Sequence, residues 1–307
     1  MAIDPVPEAR PARRSLLRRL VVAMIRIGLL IYVGVALIFL TIQSRMIFPG
    51  SLSQGRPDAV AQAPAGAELV TLTSAGGERI VAMFGPALEP DGSPRADAST
   101  RPTLLFFYGN GNCLADQAEL FGRFRRLGLN VMIPDYLGYG MSGGQPSEVG
   151  CRETAEAALV HLASRADVDR GRIVAAGWSL GGAVAIDLAS RQPVAGLAVF
   201  STFTRMVDMA KIVVPFLPGA LLIRHHFESL TKIGAVDCPI LIGHGGLDRM
   251  IPLAMADRLA EAAQAAGLGP VARVTVAEAD HNDFFDLGGK TVLSALGHFA
   301  EDLPRRP

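Results

Sequence analysis

The sequence predicts an α/β fold, in which a mostly parallel sheet has helices on both faces and a small helical cap, preceded by one N-terminal transmembrane helix. Three observations carry this expectation. From residue 103 onward, short apolar runs alternate with helix-patterned segments, the order that builds a parallel sheet from crossover units. Within that region the stretch 172–190, RIVAAGWSLGGAVAIDLAS, reads as strand, sharp turn and helix in immediate succession. Near the N-terminus, residues 20–42 are apolar apart from Arg26.

Composition sets the outer limits. With 307 residues, 50% of them hydrophobic and 19% charged, the chain can fill one large core with additions, and disorder throughout is excluded. Its formal net charge is zero, so no overall basic field recruits nucleic acid. The basic excess is local, with Arg10, Arg13, Arg14, Arg18 and Arg19 in a tail covering 1–19. Cys113, Cys151 and Cys238 lie far apart and match no C-x-x-C or Cys/His metal spacing, so they read as small apolar residues. No metal or cofactor is implied.

Taken in order, residues 20–42 are long enough to span a hydrocarbon core of about 30 Å at 1.5 Å per residue, and Arg26 can snorkel to the basic side. The charge asymmetry orients the N-terminus to the cytoplasm and the rest of the chain to the exported side. Gln43-Ser44-Arg45-Met46 follows the apolar run in place of a small-x-small cleavage site, so the segment reads as an uncleaved signal anchor. Residues 43–66 have the Gly/Pro/Ser/Gln composition of a linker, and the folded domain is expected over 67–307. In that domain, 68–73 and 79–84 are strand-like runs split by Ala75-Gly76-Gly77, a hairpin signature. Further strands are expected at 104–108, 129–133, 173–176, 195–200, 239–243 and 271–276. Helices are expected near 116–127, 148–164, 253–266 and 284–300, and a helical cap insertion at about 203–232.

Functional loops in a parallel sheet gather at the carboxyl ends of the strands. There Gly177-Trp178-Ser179-Leu180-Gly181 forms a G-x-S-x-G match, whose glycines let strand and helix approach while the serine sits on a tight turn. A second match, Gly140-Met141-Ser142-Gly143-Gly144, comes well after its strand and is followed by Gln and Pro instead of a helix, so Ser142 reads as a loop residue. A serine hydroxyl needs a base within hydrogen-bond reach, itself oriented by a carboxylate. His281 is the only one of six histidines in a loop just after a late strand. His161 and His298 lie in helical segments, His225 and His226 in the insertion, and His244 closes a strand and reads as structural. Asp248, in the glycine-rich loop after strand 239–243, is the candidate acid, with Asp208 in reserve. A tetrahedral oxyanion needs two preorganised donors, for which the backbone N–H groups of Leu180 and Asn110 are the candidates.

These residues, together with Asp135-Tyr136-Leu137-Gly138-Tyr139-Gly140, Gln145-Pro146-Ser147-Glu148, Cys238-Pro239, Ile251-Pro252 and His281-Asn282-Asp283, resemble the α/β-hydrolase superfamily over roughly residue 68 to the end. More narrowly, the chain is similar to the membrane-tethered serine hydrolases that include acyl-protein depalmitoylases and lysophospholipid lipases. The resemblance implies an α/β-hydrolase fold and a membrane-anchored enzyme that cleaves a carboxylic ester or thioester, with an acyl or lipid-like substrate and an acyl-enzyme on Ser179. Two positions depart from the usual pattern. Tyr108 stands where a histidine commonly precedes the Gly-Asn pair, and Leu137 where arginine is frequent. A serine peptidase on the same fold and a non-enzymatic scaffold are the alternatives, and the sequence does not specify an oligomeric state.

Overall fold

A computed structural model of the chain describes residues 12–306 and divides into two compact units, 1–43 and 44–307. Most of the expected basic tail, residues 1–11, lies outside the described residues. The described residues of the first unit, 12–43, belong to one helix, α1, Ala12–Ile47. Within it, Leu17–Ile47 is long and apolar enough to be a candidate membrane span, with mean hydropathy 2.5 over its most apolar window.

The second unit is built on one eight-stranded sheet. Its elements run β1 (Glu68–Thr73), β2 (Arg79–Gly85), β3 (Thr103–Phe107), α2 (Ala118–Arg125), β4 (Asn130–Pro134), α3 (Glu148–Ser164), β5 (Ile173–Trp178), α4 (Leu180–Ala189) and β6 (Gly196–Phe200). Then come α5 (Met206–Val213), α6 (Gly219–Leu222), α7 (Ser229–Lys232), β7 (Ile240–Gly245), α8 (Leu253–Ala266), β8 (Val271–Val276), α9 (Phe284–Leu287) and α10 (Gly289–Asp302). The strand order is β1-β2-β4-β3-β5-β6-β7-β8, with β2 antiparallel to both β1 and β4 and every later pairing parallel. The central strands β3 to β7 are buried on both faces, apart from Trp178 at the end of β5, which is why their sequences are near-continuous apolar runs and do not alternate. The reversal of strand order around β3 and β5 opens a crevice at their carboxyl ends, where the loops after Phe107 and Trp178 meet.

The expectation for 43–66 is corrected. This stretch is not a free linker: from Ser44 it belongs to the second unit, and Phe48, Ala59 and Ala61 are buried in it. Two 3₁₀ turns, Pro49–Ser53 and Pro57–Ala59, carry the chain across the domain surface. Backbone polar groups find partners far along the sequence: Gly50 N–H donates to the Asn110 carbonyl at 2.9 Å, and Gly55 N–H to the Gly140 carbonyl at 2.9 Å. The Gln54 amide donates to the carbonyls of Ser142 and Gly144, and the buried Arg125 guanidinium reaches the carbonyls of Ala65 and Gly66. The composition of a linker and that of a strap packed on a domain are the same. What separates them is whether distant loops supply hydrogen-bond partners.

Candidate active site

Ser179 sits between β5 and α4 with φ 57° and ψ −118°, a backbone conformation that costs a non-glycine residue about 1–3 kcal/mol. Neighbouring contacts hold it there. Its N–H donates to the Phe200 carbonyl at 2.9 Å, and its own carbonyl accepts from Thr202 Oγ1 at 2.8 Å and Gly182 N–H at 3.0 Å. The flanking glycines are required by close approach: a Cβ on Gly177 would fall on the Gly181 carbonyl, and one on Gly181 would fall on the Phe107 carbonyl. The turn therefore forces the hydroxyl out over the carboxyl ends of the strands.

The loops after β7 and β8 bring the other two candidates to it. His281 Nε2 lies 3.0 Å from Ser179 Oγ, and His281 Nδ1 lies 2.7 Å from Asp248 Oδ2. The second carboxylate oxygen of Asp248 accepts the N–H groups of Ile251 at 2.7 Å and Met250 at 3.0 Å, so the acid is held by its own loop. All three side chains are shielded, with relative exposures of 7% for Ser179, 3% for His281 and 7% for Asp248. A hydroxyl bonded to an imidazole that is bonded in turn to a buried carboxylate can lose its proton to the ring as it attacks an electrophilic carbon.

Several supports were not legible as such in the sequence. The Trp178 ring stacks on His281, with centroids 5.1 Å apart and planes 29° from parallel, and a Cβ on Gly109 would come within 2.7 Å of that indole. Asp280 links the two loops, accepting N–H bonds from His281 at 2.7 Å and Arg249 at 2.9 Å; these donors hold its carboxyl below the usual carboxylate range. His244 is buried against the Asp248 loop, with Nε2 2.8 Å from the Ile251 carbonyl and 3.4 Å from Asp248 Oδ2. Burial pushes its pKa below that of an ordinary histidine, so it packs there as a neutral ring. Trp178 was visible only as the variable position of the motif, and Asp280 only as a loop aspartate.

The remaining candidates separate from this cluster. Ser142 is buried away from any base: its Oγ donates to the Asp135 carbonyl at 3.0 Å and accepts Val81 N–H at 3.0 Å. Asp208 is bonded to Thr204, Arg205 and Lys211 instead of to His281. The three cysteines are buried thiols, and no group of three His, Cys, Asp or Glu side chains suited to a metal occurs among the described residues.

Of the two backbone candidates, one follows Ser179 directly and the other lies in the loop after β3. Leu180 N–H heads α4, where the first turn has no intrahelical acceptor to offer. Asn110 follows β3 in a loop braced by tyrosines. Tyr108 Oη donates to Asp135 Oδ1 at 2.7 Å, Tyr136 Oη to the Tyr108 carbonyl at 2.7 Å, and Tyr139 Oη to the Asn110 carbonyl at 3.0 Å. The phenol at position 108 thus ties the loop to the end of β4. Burial raises its pKa well above the ordinary phenol value, which keeps it a neutral donor.

Comparison with known proteins agrees with this architecture. Residues 107–234 match the alpha/beta hydrolase family. The chain is 33% identical over 285 residues to the Mycobacterium tuberculosis protein Rv2307c, covering 93% of this chain and 96% of that one. It is 33% identical over 245 residues to the alpha/beta hydrolase domain-containing protein WAV2 of Arabidopsis thaliana, covering 73% and 76%. Among solved structures, the Pyrococcus furiosus esterase Pf2001 superposes with a TM-score of 0.62 at 16% identity, covering 77% of this chain and 91% of that one. With that sheet order, that turn at Ser179 and these relatives, the chain belongs to the α/β-hydrolase superfamily and is a hydrolase.

Proposed function

We propose that the protein is a membrane-anchored serine hydrolase that cleaves a carboxylic ester or thioester of an acyl or lipid-like substrate. The observation that carries this reading is the continuous relay from Ser179 Oγ through His281 to Asp248 at the end of a strained strand-to-helix turn. In the first half-reaction Ser179 Oγ bonds to the carbonyl carbon while its proton passes to His281 Nε2. The carbonyl oxygen becomes an oxyanion facing the N–H groups of Leu180 and Asn110. Collapse breaks the bond to the alcohol or thiol, which leaves with the proton from His281. Water then attacks the acyl-enzyme carbonyl carbon, giving up one proton to His281, and the bond to Ser179 Oγ breaks as Oγ takes that proton from His281 and the acid is released. Asp248 keeps the Nδ1 proton in place and stabilises the transient imidazolium, and the Trp178 face adds a cation–π contact to that charge.

The acyl preference rests on the cap between β6 and β7. Leu221 and Phe216 are 83% and 62% exposed there, and Leu247 and Met250 are exposed beside Asp248. They stand in the segments that follow the carboxyl ends of β6 and β7, and their apolar surface suits an alkyl chain. On this reading, Leu221→Asp and Phe216→Asp lower turnover of dodecanoyl esters by about tenfold or more and leave acetyl esters within about twofold, as a lost apolar contact of 1–3 kcal/mol requires. Steady-state kinetics on a series of p-nitrophenyl esters, expressed per active site as counted by fluorophosphonate labelling of a separate sample, measures this. Equal loss at every chain length would reduce the segment to a cap with no part in selectivity.

The anchor is argued from α1. Met24, Leu30 and Ile31 are among its many exposed apolar residues, whereas the core helix of a water-soluble protein would bury such side chains. With Arg18 and Arg19 at its start, the hydrolase domain lies on the exported side. The full chain therefore stays with membranes washed at alkaline pH in carbonate, and protease added from the exported face digests the domain. Release of the intact chain by carbonate would remove the spanning helix from the proposal.

A further inference from the structure

The residues at which α1 ends within the hydrolase domain make contacts that a tether would not need. Ser44–Ile47 form the last turn of α1 and already belong to the domain, which continues without a break into Phe48. On one side this junction grips the loop after β3: the Asn110 side chain donates from Nδ2 to the Ile47 carbonyl at 2.9 Å, while the Asn110 carbonyl accepts Gly50 N–H at 2.9 Å. Asn110 is therefore bonded at both its side chain and its backbone by residues three apart in the junction. No freedom of placement remains at Gly50, where a Cβ would meet the Asn112 carbonyl at 2.6 Å, the Asn110 carbonyl at 2.8 Å and the Tyr139 ring at 2.5 Å.

On the other side the junction holds the end of the cap. His225 Nδ1 accepts Glu148 N–H at 3.3 Å, so its proton is on Nε2 and is donated to Ser44 Oγ at 3.0 Å. The Phe48 ring, fully buried, meets His225 edge-on at 5.0 Å and Phe227 at 6.2 Å. The Glu148 carboxylate fastens this stretch by accepting the N–H groups of His226 at 2.7 Å and Phe227 at 3.0 Å. The same few residues thus touch the loop that carries Asn110 and the cap that follows β6.

We propose that the segment Ser44–Gly50 is a positioning element for the oxyanion loop, setting the place of the Asn110 amide through the paired bonds of Ile47 and Gly50. This rests on the reading of Asn110 N–H as an oxyanion donor in a serine hydrolase. Its physical basis is steep: displacement of a reacting or stabilising group by about 1 Å is enough for a loss on the order of a hundredfold. Gly50 and Ile47 touch no substrate. They act through Asn110, and their effect belongs in kcat and not in KM.

The test uses the full-length chain in detergent, with active sites counted by fluorophosphonate titration and a p-nitrophenyl acyl ester as substrate. Gly50→Ala should push the loop outward, and Asn110→Ala should cut its side-chain tether while keeping the main-chain N–H. Each is expected to lower kcat per titrated site by about tenfold to a hundredfold with KM changed by less than about threefold. The inhibition constant of an alkyl boronic acid, whose tetrahedral adduct places an oxygen where the oxyanion forms, should rise by the same factor as kcat/KM falls. If Gly50→Ala does not fold, Asn110→Ala decides. A smaller number of titratable sites with unchanged kcat per site would make the junction merely structural and overturn the inference, while Ser179→Ala inactivity would leave the hydrolase reading standing. A wild-type chain that neither takes the probe nor turns over ester would overturn both.

Discussion

Ser179→Ala lowers ester turnover by about 10⁵- to 10⁶-fold, the loss expected when the nucleophile of a serine relay is removed and only binding and oxyanion stabilisation remain. The expectation follows from position as well as residue type. Ser179 Oγ is the hydroxyl within 3.0 Å of a histidine that is itself bonded to a buried carboxylate. Ser142→Ala supplies the contrast within the second G-x-S-x-G copy. Its hydroxyl joins Val81 N–H to the Asp135 carbonyl in the core, so the variant loses about 1–3 kcal/mol of stability and keeps its kcat. Turnover numbers and thermal melts of the two variants side by side make the measurement. Comparable loss of kcat in both, or loss from Ser142→Ala alone, would transfer the nucleophile away from Ser179.

Asp248→Asn comes next in size, with kcat reduced by about 10⁴-fold while the fold is kept. The amide can still accept the Ile251 and Met250 N–H groups through one oxygen, so the loop retains its shape. What changes is the partner of His281 Nδ1. An amide N–H turned toward that nitrogen requires it to be unprotonated, which puts the ring proton on Nε2 and removes the base from Ser179. Pre-steady-state acylation with an activated ester, alongside a melt to verify folding, reads the effect. A kcat within about tenfold of wild type would shift the acid role elsewhere, with Asp280 as the neighbour to test.

The local geometry was legible because it is written in short runs. Gly177-Trp178-Ser179-Leu180-Gly181 carries both the apolar strand before it and the small-residue helix after it, and the steric need for glycine beside a tight turn is a property of adjacent residues. His281 and Asp248 could be chosen because parallel strands deliver their following loops to one edge, and each stands just beyond a recognisable apolar run. The alternation of strands and helices was readable for the same reason, since a sheet buried on both faces leaves continuous apolar segments. Local signals, however, are silent about which loops touch. The strap 44–61 has the composition of a linker and is held by Asn110, Gly140, Ser142 and Gly144, some sixty to ninety positions away.

The sequence by itself determined the order of elements, the strained corner at Ser179 and the hydrolase family, because periodicity, turn sterics and side-chain type are encoded within a few neighbouring residues. Only the tertiary structure decided how the corner is supported. Trp178 stacked on His281, Asp280 tying the loops of Asp248 and His281, Tyr108 bonded to Asp135, and the junction after α1 clamping Asn110 all depend on where distant segments come to rest. Backbone and side-chain groups shut away from water must find partners, and which partners they find is set by the folded sheet that brings those segments together.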